Sequence, residues 1–462
     1  MAQAEHYDVV IIGAGQSGDP LARAFAAAGK TAALVERDAV GGTCVNYGCT
    51  PTKTMVASAR VAYLARRAGD YGVRTGDVSV DLSVVRERKR AIVKDFRGGT
   101  EHRLETTDGI SLIYGEARFT GPKEIAVALR EGGERRLTGD VVVINAGARP
   151  APPDLPGLAD TPFLDSTSVM ELNAVPEHLL VLGGGYIALE FAQMFRRFGS
   201  AVTIVQRSGQ LLGREDQDVT DEVLKIVRED GIEVLLGAQA QSVEGNSDGV
   251  RLTVKIDGAE RVLSGSHLLV ATGRRPNTDR LGADAAGIAL DKQGNIIVND
   301  RLETSVPGVY AMGDVKGGPA FTHISYDDFR ILKANLLDGG RRSVTDRPTP
   351  YTVFIDPQLG RVGLSETEAK AQGIAYKVAK LPMSSVARAL ETDESRGFMK
   401  ALVDTESGQI LGVAILGLDG GEVMGALQIA MMGKVPYTAL RDGVFAHPTL
   451  MESLNNLFLT LD

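Results

Sequence analysis

Thiols are scarce in this chain, with 2 cysteines, Cys44 and Cys49, among 462 residues. That scarcity excludes a scaffold stapled by disulfides. A zinc centre would need two further ligands, and no histidine close in sequence supplies them, so no resident metal site is expected. Positive charge is also short: the net charge of −9 argues against a nucleic-acid partner. The basic run Arg86–Arg90 (RERKR) reads as a solvated helix face. No apolar run suits a membrane, because the longest, Leu179–Phe195, is broken by three glycines and contains Glu190. The chain enters an apolar strand at His6–Ile12 without a charged leader or a small-residue cleavage site. One thiol pair and no other fits a reducing compartment, so the expected location is the cytoplasm.

What is present begins with the placement of those thiols, five residues apart in GGTCVNYGCTPTK. Two rationed cysteines set together read as one redox-active dithiol or disulfide. Just before them, YDVVII (Tyr7–Ile12) reads as a buried parallel strand. Gly13-Ala14-Gly15-Gln16-Ser17-Gly18 follows, then an Ala-rich helix over Leu21–Ala28 and a strand over Thr31–Val35 ending in Glu36. Strand, Gly13/Gly15/Gly18 turn, helix and acid make a Rossmann fingerprint, in which Glu36 binds a ribose hydroxyl. Glycine is needed because a Cβ would hold the pyrophosphate away from the helix N-terminus.

The pattern recurs. Leu179–Leu182 is a strand, Gly183-Gly184-Gly185-Tyr186-Ile187-Ala188 the turn, Leu189–Phe198 the helix and Ala201–Val205 the next strand. The acid is now replaced by Gln206, followed by Arg207. A carboxylate would repel the extra phosphate on the adenosine ribose of NADPH, whereas arginine binds it, so NADPH is expected over NADH. Arg207 is the main contact and Arg214 a second. Two nucleotide sites of different taste predict two cofactors, FAD at the first and NADPH at the second.

With these motifs the chain resembles the pyridine nucleotide-disulfide oxidoreductases. GAGQSG, GGTCVNYGC, GEARF, NAGARP, GGGYIALE, ATGRRPN, AMGDV and AHPTLME occur in that family's order along the whole length. The resemblance implies an α/β fold with two Rossmann-like domains and a C-terminal α+β dimerisation domain, working as a homodimer. It implies cofactor contacts from Gly42, Thr43, Lys53, Gly115, Ala117, Ala146, Gly147, Asp314 and Phe321 as well as the first fingerprint. In the second half it implies contacts from Gly183, Gly185, Ala188, Gln206, Arg207, Gly273 and Arg274. Cys49 becomes the thiol facing the flavin and Cys44 the thiol that meets the acceptor. Lys53 and Glu190 would pair near the flavin, and Tyr186 would cover the nicotinamide pocket. Thr50-Pro51 reads as a helix N-cap and first residue, whose N-terminus would favour the Cys49 thiolate. His447 would shuttle protons, its tautomer set by Glu452, and would reach the disulfide of the other subunit.

The expected domains are 1–150 and 278–347 for FAD, 151–277 for NADPH and 348–462 for dimerisation, with Pro-rich linkers at Arg149–Pro156 and Arg347–Pro350. Asp81–Glu105 reads as a charged helix. The C-terminal half bears on the acceptor. FTHISYDDFRI, YTVFIDPQLGRVGLSE and RDGVFAHPTLMESLNNLF resemble a branch of reactive-chlorine-resistance flavoprotein reductases, which implies a small oxidant or metal ion: hypothiocyanous acid, Cu(II) or Hg(II). Mercuric reductases share GGTCVNYGC but carry a C-terminal cysteine pair, where this chain ends Leu461-Asp462. A glutathione-reductase-like or dihydrolipoamide-dehydrogenase activity on a small disulfide is the alternative. Asp19-Pro20 replaces the small residues common after the first fingerprint and is expected to shape the acceptor pocket.

Overall fold

From its N-terminus the chain runs through strand β1 (Glu5–Ile12), helix α1 (Gly18–Ala27), β2 (Ala32–Glu36), α2 (Gly42–Asn46) and α3 (Cys49–Arg66). After α4 (Leu82–Glu105) come β3 (Ile110–Gly121), β4 (Glu124–Leu129), β5 (Glu134–Ile144) and β6 (Ala148–Pro150). These elements belong to a computed structural model that describes residues 4–246 and 248–462. The chain divides into two units.

The first unit comprises Met1–Thr54, Val84–Ala151 and Gly273–Arg347. β1 pairs in parallel with β2, Val9 opposite Ala32, and with β5, Val9 opposite Val141. Strand Val309–Ala311 extends the sheet beyond β5, and β3 extends it beyond β2. Val9, Val10 and Ile11 have no exposed surface, which explains their unbroken β-branched run: both faces of this strand are covered. Burying each such side chain stabilises the fold by about 1.5–3 kcal/mol. The far halves of β3 and β5 leave the parallel sheet and pair antiparallel with β4.

The second unit holds Met55–Ser83, Pro152–Thr272 and Pro348–Asp462. It repeats the first motif as β7 (His178–Leu182), α5 (Tyr186–Phe198), β8 (Ala201–Val205), α6 (Gln217–Glu229) and β9 (Glu233–Leu235). With strand His267–Val270 these form a four-stranded parallel sheet. A three-stranded antiparallel sheet, Gln239–Asn246, Gly249–Ile256 and Ala259–Gly265, follows β9 in sequence. The C-terminal part is a five-stranded antiparallel sheet with helix Gly420–Met432 packed on it and its own core around Leu427, Leu454 and Phe458. The mixed α/β class is the expected one. No helix among the described residues is long and apolar enough to cross a membrane.

Three local expectations need correction. α1 begins at Gly18 and α5 at Tyr186, three residues before the apolar periodicity starts, because each glycine turn leads straight into a first helical turn. α3 begins at Cys49, so Thr50 is not its cap; Thr52 N–H bonds to Gly48 O at 3.1 Å. The Arg86–Arg90 run is not wholly solvated, for Lys89 is 3% exposed. It falls on the stripe of α4 that also buries Leu82, Val93 and Leu104.

Candidate functional site

In the first unit Cys44 lies in α2 and Cys49 opens α3, which places both thiols at one turn between two helices. They are hydrogen-bonded thiols, and Thr322 Oγ1, from helix Thr322–Leu336, stands 3.6 Å from Cys49 Sγ. The bond to Cys49, then burial, drives the Cys44 thiol well above the ordinary range, while Thr322 and the charge of Lys53 pull it back. Lys53 follows Cys49 by one turn of α3. The arrangement suits a pair in which a proton is shared before one sulfur attacks. Asn46 holds the turn shut, its amide donating to Val40 O at 2.9 Å and Gly42 O at 3.0 Å.

The first glycine turn is packed without spare room. A Cβ on Gly13 would stand 2.3 Å from Asn145 O at a φ of +106°, and one on Gly18 2.1 Å from Gly13 O. Gly15 lies against Gly42, and Thr43 precedes Cys44, so this turn and the cysteine turn share a wall. Glu36 ends β2, accepting Ala14 N–H and Asp38 N–H, each at 2.8 Å. Burial pushes its carboxyl up and those two bonds pull it back. Gly115 and Ala117 lie in β3, whereas Ala146 and Gly147 follow β5. Arg274 donates to Ala148 O at 2.5 Å and Gly273 has a φ of +150°. Phe321 caps the helix Thr322–Leu336 and stacks on His323 at 5.5 Å.

Asp314 is mostly buried, burial raises its carboxyl, and no described residue donates a hydrogen bond to that carboxylate. Such a partly exposed carboxylate, without a donor among the described residues, fits a ligand rich in hydroxyls. The sites thus fit the ribitol and pyrophosphate of FAD: tight glycine walls for phosphate and carboxylates for hydroxyls.

In the second unit Gly183 has a φ of +123° and Gly185 is the N-cap of α5. Tyr186 opens that helix and Ala188 is fully buried in it. Gln206 turns its amide to Ser208 Oγ at 2.5 Å and Gln210 O at 3.1 Å. Arg207 and Arg214 are exposed and have no ion partner among the described residues. Glu190 is 3% exposed and accepts Phe354 N–H at 2.9 Å, so it is no solvated helix residue. Lys53 lies in the first unit and Glu190 in the second. His447 Nδ1 meets Glu452 Oε2 at 2.8 Å and Oε1 at 3.0 Å, leaving Nε2 as the ring's outward nitrogen. Asp216, Asp218 and Glu366 converge, but on Lys400 Nζ at 3.1, 2.9 and 2.6 Å, and Lys380 on Asp218 and Lys370 on Glu366 complete the charge balance.

Three residues escaped the sequence reading. Asn145 accepts from Ser17 Oγ at 2.9 Å and donates to Gly13 O at 3.0 Å, bracing the first turn. Asp328, with no exposed surface, accepts Gly313 N–H at 2.8 Å and so holds the turn bearing Asp314. Thr322 is the third. Each lay within a quoted motif, NAGARP or FTHISYDDFRI, but nothing local showed what it would touch.

The family model for pyridine nucleotide-disulphide oxidoreductases matches residues 7–328, and the model for their dimerisation domain matches 349–458. The chain belongs to the pyridine nucleotide-disulphide oxidoreductases. It is 38% identical over 456 residues to the probable pyridine nucleotide-disulfide oxidoreductase RclA of Escherichia coli, covering 98% of each chain. It is 35% identical to a mercuric reductase of Staphylococcus aureus, across 99% of this chain and 82% of that one. Among solved structures, the Cu(II) complex of the HOCl-induced flavoprotein disulfide reductase RclA from Escherichia coli matches with a TM-score of 0.90 at 37% identity, over 99% of this chain and 100% of that one. As a member of this family the oxidoreductase is a flavoprotein using FAD and a pyridine nucleotide, and it carries the family's dimerisation domain.

Proposed function

We propose that this oxidoreductase uses NADPH and FAD to keep the Cys44–Cys49 pair reduced, and that the pair reduces a small oxidant or metal ion of the hypothiocyanous acid, Cu(II) or Hg(II) type. The observation that carries this reading is the hydrogen-bonded thiol pair at the mouth of α3, in a chain similar to a reductase solved with Cu(II). Bound FAD, reduced by the pyridine nucleotide, supplies the two electrons that reopen the pair once it is oxidised. Gly13, Gly15, Gly18, Gly42, Thr43 and Asn145 shape its phosphate site, Glu36 and Asp314 its hydroxyl contacts. Arg207 and Arg214 select NADPH. The FAD segments are 1–150 and 278–347, the NADPH segment 151–277 and the dimerisation segment 348–462. A lone thiol pair supports a cytoplasmic location.

With hypothiocyanous acid the chemistry balances as follows. His447 takes the Cys44 thiol proton as that sulfur attacks the electrophilic sulfur, and returns it to the leaving hydroxide, which becomes water. Cys49 then releases its proton to solvent and attacks Cys44 sulfur, thiocyanate leaves and the disulfide closes. Two thiols are oxidised, and one acceptor molecule gains two electrons. In the homodimer His447 serves the partner's cysteine pair, with Glu452 fixing its tautomer.

The test is steady-state NADPH oxidation against hypothiocyanous acid, Cu(II), Hg(II), oxidised glutathione and lipoamide, with C44S in parallel. Fast turnover of the oxidant or a metal ion, lost in C44S, is expected. Fast turnover of oxidised glutathione or lipoamide alone, or full turnover by C44S, would overturn the reading.

A further inference from the structure

A cavity of about 370 Å³ opens in the first unit beside the cysteine turn. Its walls include Gln16, Asp19, Pro20, Val45, Phe96 and Tyr326. Val45 follows Cys44 in the same short helix, so the cavity adjoins the helix that carries the acceptor-facing thiol. Glu36, Asn145 and Asp314 do not line it; the flavin features share only Gly15 with its walls.

Asp19 is unusual there. It sits at the second position of α1 with a side chain 13% exposed. Its carboxylate holds Arg23, one turn on, by two bonds: Nε to Oδ1 at 2.7 Å and Nη2 to Oδ2 at 3.1 Å. That fork-to-fork geometry occupies the inner edge of the guanidinium. Pro20, next along, has no N–H, so the first turn of α1 has one donor fewer for an anion. Across the cavity Asp95 is exposed and has no ion partner among the described residues, while Arg103 gives a bond to Thr100 Oγ1 at 3.1 Å. The walls thus carry two acids, Asp19 and Asp95, against one arginine, Arg103, and Arg23, the cation that Asp19 holds, is not among them.

We infer that Asp19 is a specificity determinant that disfavours carboxylate-bearing acceptors, by adding a second negative charge to the cavity wall, so that the cavity favours small electrophiles without negative charge. The inference rests on the proposed role of Cys44 as the acceptor-facing thiol. A site achieves such discrimination as much by what it repels as by what it attracts. Replacing Asp19 with asparagine removes one negative charge and releases Arg23, so the local balance swings towards attraction of anions.

Three disulfides of similar size and equal sulfur chemistry separate charge from reactivity: cystamine (cationic), bis-hydroxyethyl disulfide (neutral) and dithiodipropionate (anionic). In the wild-type holoenzyme kcat/KM for the anionic probe is expected about tenfold or more below the neutral one, a gap that closes as salt is raised, because screening acts within roughly 10 Å. D19N narrows the gap about fivefold or more, and R23Q, which leaves the acid unpaired, widens it. R23Q and the salt series decide the matter even where D19N folds poorly. A gap unmoved by either variant and by salt overturns this inference alone. Turnover of the neutral probe that persists in C44S overturns the dithiol reading and this inference with it.

Discussion

Arginine 207 offers a direct measure of cofactor choice. In R207A the guanidinium proposed to hold the distinguishing phosphate of NADPH is gone. One charge-assisted hydrogen bond is worth about 1.5–3 kcal/mol, and tenfold in kcat/KM corresponds to about 1.4 kcal/mol, which brackets the loss between roughly 10- and 150-fold. Arg207 is exposed, and solvent screening places the effect near the lower end, about 10–30-fold. The structure also says what R207A does not do. Arg207 has no ion partner among the described residues, so its removal strands no buried acid, and kcat/KM for NADH should stay within about twofold. The assay is steady-state kcat/KM for NADPH and NADH with one acceptor at two ionic strengths, the wild-type preference falling as salt rises. R214A is expected to lose less, and the double variant to lose the most. An NADPH-to-NADH ratio in R207A within about threefold of wild type, at both ionic strengths, would refute the reasoning.

Glu452 fixes the tautomer of His447 through contacts of 2.8 and 3.0 Å, so E452Q should slow acceptor turnover by about 10- to 100-fold while reduction of the enzyme by NADPH alone, followed by stopped flow, keeps its rate. Gly13→Ala drives a Cβ to 2.3 Å from Asn145 O; a loss of roughly 1–3 kcal/mol and of bound flavin is expected, read by thermal melting and by the flavin-to-protein absorbance ratio. Burial pushes the Asp356 carboxyl up, but Arg197 and Arg60 outweigh it and hold it below the usual carboxylate range. That depressed group contributes stability in full above about pH 4, the unfolded value, and loses it as pH falls through the folded one. D356N removes the nearer ion partner of Arg197, 6% exposed, leaving Asp230 at 3.8 Å, and should cost about 3 kcal/mol at neutral pH. Its melting temperature should then fall less than that of wild type between about pH 5 and 3.

How far the chain could be read without its structure depended on the range of the forces involved. Both glycine turns were legible because a positive φ and a close Cα approach are demands that only the local residue type can meet, as at Gly13 and Gly183. The thiol pair was legible because five residues cannot carry the two sulfurs far apart. Glu452 was legible beside His447 for the same reason. Helix starts were misjudged by three residues at Gly18 and Tyr186, since apolar periodicity reports the buried stripe and not the first turn.

What only the tertiary structure decided were contacts between segments distant in sequence. The Thr322 hydroxyl reaches Cys49 across 273 positions and Asn145 reaches Ser17 across 128. Lys89 and Glu190, polar by composition, are buried because the stripe of their helix faces inward and a partner waits there, Phe354 N–H in the case of Glu190. The sequence alone determined the family, the dithiol and both nucleotide turns, since each is a short-range pattern of residue types. The fold decided which polar groups stay unsatisfied, such as Asn46 Oδ1, and which cation is held before a substrate arrives, as Asp19 holds Arg23. Burial and pairing depend on packing, and packing brings together residues that the chain keeps apart.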